Sequence, residues 1–264
     1  MPSPEDELTT TGPTPPADAG DRPAAADRPA AADGSVRADR LRRLADARLY
    51  LCTPRRAEFG PFLDAVIGPA GRGGVDLVQL REKSLEWADE VRGLREIQAA
   101  GAGRETLVSA NDRADLAAFT GVDILHVGQD DVPPAFARRL VGPDVLIGQS
   151  THSPEQFLAA LADPDVDYVC VGPVHATPTK QGRPPVGLGL PRLAARHAPP
   201  FEPGAKPWFV TGGVGPDTLD DILATGARRV VVVRALTAAE DPAAAAAALA
   251  RRLRTASSGS ACGT

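Results

Sequence analysis

The sequence predicts a (β/α)8 barrel. Three observations carry that prediction: eight short apolar runs rich in β-branched residues, Ala-, Leu- and Arg-rich segments of helical spacing between most of them, and a span of about 220 residues for the whole set. The runs are LYLC (49–52), VDLVQL (75–80), TLVSA (106–110), ILHVG (124–128), VLIGQ (145–149), YVCVG (168–172), WFVTG (208–212) and VVVV (230–233). WADEVRGLREIQAA and DTLDDILATGA place their apolar residues at helical intervals. The link between 110 and 124 is short, so its helix is expected to be a stub. Strand–helix alternation implies a parallel sheet, and an open doubly wound sheet is the alternative that it also allows.

The barrel is expected over residues 37–254. Residues 1–36 are rich in Pro, Ala and Asp, repeat themselves in DRPAAADRPAAADG and hold almost no large apolar residue. Such a segment cannot offset its ordering entropy and is expected to be a disordered tail. Residues 255–264, ending in SSGSACGT, are expected to form a loose second tail.

The chain is 43% hydrophobic and 24% charged, which is ordinary globular material with enough length for a sizeable core. Residues 1–40 carry eight acids and four arginines, so most of the net charge of -5 sits in the tail. The near-neutral remainder leaves no basic stripe for nucleic acid. Cys52, Cys170 and Cys262 have no metal spacing, and the first two sit inside apolar runs. They read as buried thiols in a reducing cytoplasm, where the chain is expected to reside. No apolar stretch approaches a membrane span, and the acidic, Pro-containing start lacks the apolar core of a secretion signal.

A barrel brings the C-terminal ends of all its strands to one face, where sites are built. The second run, instead of ending in a turn, hands over to the charged QLREKS (79–84), which sets Arg81 and Lys83 at the mouth of a strand. Those two cations serve either a site or ordinary surface solvation. Asn111 and Asp112 follow the third run and read as a site or as a turn and cap. Asp130 and Asp131 follow the fourth run and could cap the next helix, and two-residue alternation does not settle which one points inward. Ser150 or Ser153 could cap the helix begun by Ser153-Pro154-Glu155.

Convergence on one face favours the site. Two carboxylates from adjacent strand ends, Asp112 and Asp131, suit Mg²⁺, which takes one or two carboxylates with water and phosphate oxygens. Arg81, Lys83 and Lys180 supply positive charge for a polyphosphate, and Ser150 adds a hydroxyl. The loop Thr211-Gly212-Gly213-Val214-Gly215-Pro216 follows the seventh run and opens a helix. Its glycines would let backbone N–H groups approach a phosphate at that helix N-terminus. Two phosphorylated substrates are the expectation, with small molecules as partners. Homo-oligomerisation is left open.

The stretches QLREK, SANDRADLA, HVGQDD, GQSTHS, VGPVHATPTKQGRPPVGL and VTGGV stand in this order. Together they resemble the thiamine phosphate synthase family from about Leu49 to Leu236. The resemblance implies a barrel transferase of thiamine biosynthesis that uses Mg²⁺. It would join hydroxymethylpyrimidine diphosphate to a thiazole phosphate, or its carboxylate, releasing thiamine phosphate and pyrophosphate by dissociative substitution. It also implies that Gln79, Arg81, Lys83, Asn111, Ser150 and Lys180 hold the diphosphate substrate and that Asp112 and Asp131 hold the metal. Thr177, Thr179, Gly212 or Gly213, and the backbone at Val233 and Arg234 would hold the thiazole phosphate. Arg81, Lys83, Ser150 and Lys180 would carry the catalysis.

Two residues depart from the family's pattern: His175 stands where Phe or Tyr is usual, and Arg234 where Ser is frequent. His126, inside a strand, reads as a satisfied interior residue, and His152 as a structural or supporting one. A thiazole tautomerase on the same barrel and a non-catalytic phosphate-binding regulatory barrel are the rival functions.

Overall fold

Every apolar run forms a strand, and the strands close on themselves. In the computed structural model, which describes residues 35–68, 73–176 and 184–258, they are β1 (Leu49–Thr53), β2 (Leu77–Leu80), β3 (Leu107–Asn111) and β4 (Ile124–Val127), followed by β5 (Leu146–Thr151), β6 (Tyr168–Val171), β7 (Trp208–Val210) and β8 (Val230–Val232). Each pairs in parallel with its neighbour, and β8 returns to β1 with Tyr50 opposite Val231. Closure excludes the open doubly wound sheet.

Helices α2 (Phe59–Ile67), α3 (Trp87–Gly101), α4 (Ala114–Thr120), α5 (Pro134–Val141), α6 (Pro154–Ala162), α7 (Gly189–His197) and α8 (Leu219–Leu223) each connect one strand to the next. The expected stub is α4, of 7 residues. Ser153 caps α6 by accepting from the Gln156 N–H, with Pro154 in the first turn. The chain also carries α1 (Ser35–Asp46) before β1, and α9 (Arg234–Thr237) and α10 (Pro242–Ser258) after β8.

Alternation along the strands sorts side chains into two cores. Leu49, Leu51, Val78, Leu80, Leu125 and Val127 face the surrounding helices. Tyr50, Cys52, Leu77, Leu107, Ile124, Tyr168, Cys170 and Phe209 fill the barrel itself, joined at one end by Leu44 of α1 and by Ala47. Leu44 fixes α1 as part of the barrel. Ser35 and Val36, expected in the tail, already belong to this helix, and α10 runs four residues past the expected boundary at 254. Residues 1–34 and 259–264, including Cys262, lie outside the described residues.

A repeat in the sequence explains the N-terminal rim. Val-Asp-apolar occurs at 75–77, 122–124 and 166–168, before β2, β4 and β6. Asp76 accepts from the Leu49 N–H (2.9 Å), Asp123 from Val108 (2.9 Å) and Asp167 from Ile147 (2.8 Å). Each aspartate thereby ties an even strand to the odd strand before it. Arginines answer their charge: Arg254 at Asp76, Arg40 and Arg43 at Asp123, Arg37 and Arg138 at Asp167. At β8 the position is Arg229, buried, which donates to the Ala45 and Ala47 carbonyls instead. These charges hold the end of the barrel opposite the strand mouths.

Gly148 in β5 makes room for a large interior residue. A Cβ there would sit 2.1 Å from ring carbons of Tyr168, its register partner on β6. Gly148→Ala is therefore expected to cost about 1–3 kcal/mol, as overpacking a filled core does, measured by denaturant unfolding. No loss of stability would mean that the Tyr168 ring is free to move aside.

Candidate active site

The strand mouths open into a cavity of about 560 Å³, the size of a small-molecule pocket. Its floor comes from strand alternation: Gln79, Asn111 and Ser150 are the last inward-facing positions of β2, β3 and β5, and all three are buried. Its walls come from the loops beyond. Arg81, Lys83, Asp112, Asp131, Gly212, Gly213, Val233 and Arg234 all line it. Every expected site residue among the described ones is thus brought into one cavity. Thr177, Thr179 and Lys180 lie outside the described residues.

The open alternatives resolve residue by residue. Arg81 and Lys83 face the cavity, and the Arg81 N–H is held by the Thr53 carbonyl at 2.8 Å. Neither Asn111 nor Asp112 caps α4, whose first turn has no side-chain cap. Asp112 takes a left-handed backbone at φ 60°. Of the acidic pair after β4, Asp131 lines the cavity, and its Oδ2 accepts from the Gly128 N–H at 2.7 Å. Neither aspartate caps α5, which begins behind Pro133.

Asp112 and Asp131 face each other. Burial, and then the hydrogen bond and charge shared with Asp131, push the Asp112 carboxyl above its ordinary range, while Lys83 pulls the other way. Lys83 Nζ stands 3.3 Å from Asp112 Oδ2. Two carboxylates pressed together in a partly buried site suit a divalent cation that would relieve their repulsion. Among the described residues no group of three or more His, Cys, Asp and Glu comes together. A two-carboxylate set beside room for phosphate fits Mg²⁺ rather than the closed N/S cage of structural zinc.

The glycine loop lies across the mouth. The carbonyls of Thr211, Gly212 and Gly213 are taken by Val174 N–H (2.9 Å), His175 N–H (3.2 Å) and the Thr218 hydroxyl (2.9 Å). A trans peptide points its N–H opposite its carbonyl, so the N–H groups of Gly213 and Val214 turn away from those partners. A Cβ at Gly212 (φ 98°) would meet Pro173 at 2.4 Å, and one at Gly213 (φ 66°) the His175 Cβ at 2.6 Å. His175, the departure from the usual aromatic, therefore packs under the loop, with its Nε2 buried and unpartnered among the described residues.

One expectation needs correcting. The glycines do not sit at the start of α8, which begins only at Leu219 after the turn at Gly215–Thr218. The turn that leads into α8 lines the cavity through Pro216, Asp217 and the N-cap Thr218, and α9 opens onto it directly after Val233, with Arg234 and Ala235 on the lining.

His126 is satisfied inside the barrel, with Nδ1 2.9 Å from Tyr168 Oη and Nε2 2.9 Å from Ser150 Oγ. His152 rests its Nδ1 against the Gly172 carbonyl and takes Gln156 Oε1 on its backbone N–H. Sequence reasoning left Tyr50 unremarked and read Cys52 and Cys170 only as buried thiols, and all three lie on the cavity floor. The two-residue period that turns Tyr50 and Cys52 of β1, and Cys170 with Tyr168 of β6, into the barrel was the available signal.

Residues 49–236 match the family described as thiamine monophosphate synthase. The thiamine-phosphate synthase of Acidothermus cellulolyticus is 53% identical over 217 residues, covering 81% of this chain and 98% of that protein. The one from Thermobifida fusca is 49% identical, covering 82% and 97%. Among solved structures, the thiamine phosphate pyrophosphorylase of Pyrococcus furiosus matches with a TM-score of 0.68 at 24% identity, over 81% of this chain and 98% of that one, and so shares the fold. With the family's span running from the start of β1 into α9, the chain belongs to the thiamine monophosphate synthase family.

Proposed function

We propose that this chain joins hydroxymethylpyrimidine diphosphate to thiazole phosphate, giving thiamine phosphate and pyrophosphate. The observation that carries the reading is the meeting of Gln79, Arg81, Lys83, Asn111, Asp112, Asp131 and Ser150 in the cavity that also holds the glycine loop and the start of α9. Family membership and relatives of that name near 50% identity support it.

In this reading Arg81, Lys83 and Ser150 bind the diphosphate from the β2 and β5 side, with Lys180 from the loop after β6. Asp112 and Asp131 would hold Mg²⁺, which when bound offsets negative charge on phosphate oxygens. The bond between the pyrimidine methylene carbon and the diphosphate oxygen breaks first, and pyrophosphate takes the electron pair. The thiazole nitrogen then gives its lone pair to that carbon, and no side chain need act as nucleophile. The cations lower the energy of the charge growing on the leaving group, and the loop N–H groups place the second substrate by its phosphate. Thr177 and Thr179 would assist there.

A tautomerase acting on the thiazole phosphate alone would leave the paired carboxylates and the β2 cations without a task. Among the described residues no helix is long and apolar enough to cross a membrane. The buried thiols Cys52 and Cys170 fit a reducing cytoplasm.

The test is incubation of the chain with both substrates and Mg²⁺, with each substrate omitted in turn. Equal amounts of thiamine phosphate and pyrophosphate are expected only in the complete mixture. Isomerised thiazole phosphate without coupling would support the tautomerase. A further expectation concerns the loop: Gly213→Val should raise the KM for thiazole phosphate while sparing that for the pyrimidine diphosphate, because it strains a φ of 66° and strikes His175. Equal weakening of both substrates would assign the loop to the wrong pocket.

A further inference from the structure

A chain of hydrogen bonds crosses the barrel beneath the cavity and links its β2 side to its β5 side. Cys52 Sγ donates to Gln79 Oε1 (3.0 Å), and Gln79 Nε2 donates to Tyr50 Oη (2.7 Å). Tyr50 Oη lies 3.4 Å from Tyr168 Oη, which lies 2.9 Å from His126 Nδ1. His126 Nε2 ends the chain 2.9 Å from Ser150 Oγ. All six side chains are buried.

The first of these bonds orients the Gln79 amide, and one direction along the rest agrees with it. The Cys52 thiol occupies the amide oxygen of Gln79, so the amide hydrogens face Tyr50. The Ser109 hydroxyl, which gives its own hydrogen to the Ala110 carbonyl, stands on the same side of the amide at 3.5 Å. Tyr50 oxygen accepts from Gln79, which leaves its hydrogen for Tyr168 or for Ser109, with which it also shares a hydrogen bond, and the relay takes the first of these. Tyr168 in turn gives its hydrogen to His126 Nδ1. A neutral imidazole has one hydrogen, and with Nδ1 accepting it must lie on Nε2. Both phenols stay protonated, since burial pushes each well above its ordinary range.

We propose that this relay holds His126 with its hydrogen on Nε2, so that Ser150 accepts from the imidazole and turns its own hydrogen into the cavity. The inference rests on the reading of Ser150 as a diphosphate contact. A diphosphate offers only acceptors. A serine whose hydrogen was taken by the imidazole would present lone pairs to it, whereas the relay keeps a donor oriented before substrate arrives. Tyr50, Tyr168 and His126 are positioning residues that act through Ser150.

The test is nitrogen NMR of the full chain labelled with ¹⁵N-histidine, without substrate, the His126 signals being identified by their loss in His126→Asn. Neutral His126 with the hydrogen on Nε2 is the expected result. Tyr168→Phe is expected to give a mixture of both tautomers. Gln79→Glu is expected to reverse the preference to Nδ1–H, because a carboxylate can only accept from Tyr50. A wild-type His126 carrying hydrogen on Nδ1, or on both nitrogens, overturns the proposal. So does a Tyr168→Phe protein with an unchanged tautomer, and if that variant does not fold the wild-type spectrum still decides. In turnover, Tyr168→Phe is expected to lower kcat about ten-fold, the scale of one hydrogen bond to a charged group, with the KM for thiazole phosphate unchanged. A wild-type chain that makes no thiamine phosphate would defeat the functional reading, while the tautomer decides the relay by itself.

Discussion

Replacing Arg81 with methionine is expected to slow turnover by about 10²–10³-fold, and added Mg²⁺ is expected not to restore it. Arg81 is the first residue beyond β2, and its backbone is tied to Thr53 on β1, so its side chain leaves the sheet at a fixed point on the cavity wall. Methionine keeps much of the length and the apolar stem but removes the fork of donors that matches phosphate oxygens. The loss falls on charge that grows as pyrophosphate departs. It should therefore appear in kcat at saturating substrate. A rise in KM with kcat unchanged would mean that Arg81 only binds the ground state. Arg81→Lys is expected to recover part of the rate, since it restores the charge without the planar fork.

Asp131→Asn is expected to behave oppositely. It should raise the Mg²⁺ concentration for half-maximal rate by about 10–100-fold or more, with excess metal partly restoring activity. Asparagine still offers an oxygen to the Gly128 N–H, so the loop after β4 has no reason to collapse. What disappears is the charge that faces Asp112, half of the pair that would hold the cation. A metal titration of rate separates this variant from Arg81→Met, because only one of the two curves should move along the metal axis. If Asp131→Asn kept the wild-type metal dependence, the cation would be held elsewhere and Asp130 would become the candidate.

The strands were legible because each is a short apolar run that stands apart from its polar, helix-spaced neighbours. The cavity floor followed from them. Gln79 and Ser150 sit at inward positions set by the two-residue period, and their motifs named them. Alternation did not separate Asp131 from Asp130, because the period ends with β4 at Val127 and the carboxylates sit on the turn beyond, so the choice of Asp131 rested on the family resemblance. The glycine loop lines the cavity, but its helix starts later than expected, since Gly215-Pro216 reads equally as a turn and as a helix start with proline in its first turn, and here it is the turn that delays α8 to Leu219. The boundary at 36 followed composition, while α1 is fixed by contacts far along the chain: Arg37 to Asp167 and Arg40 to Asp123. The relay under the cavity was the least legible part. It joins β1, β2, β4, β5 and β6, and those residues meet only once the barrel closes.

The most direct test of a cavity built around departing pyrophosphate is the rate with a pyrimidine diphosphate that carries an electron-withdrawing substituent. If pyrophosphate leaves before the thiazole nitrogen attacks, that substituent destabilises the intervening cation, and coupling should slow by about ten-fold or more at saturating substrates. A rate equal to or faster than that of the parent substrate would contradict the account and replace it with direct displacement.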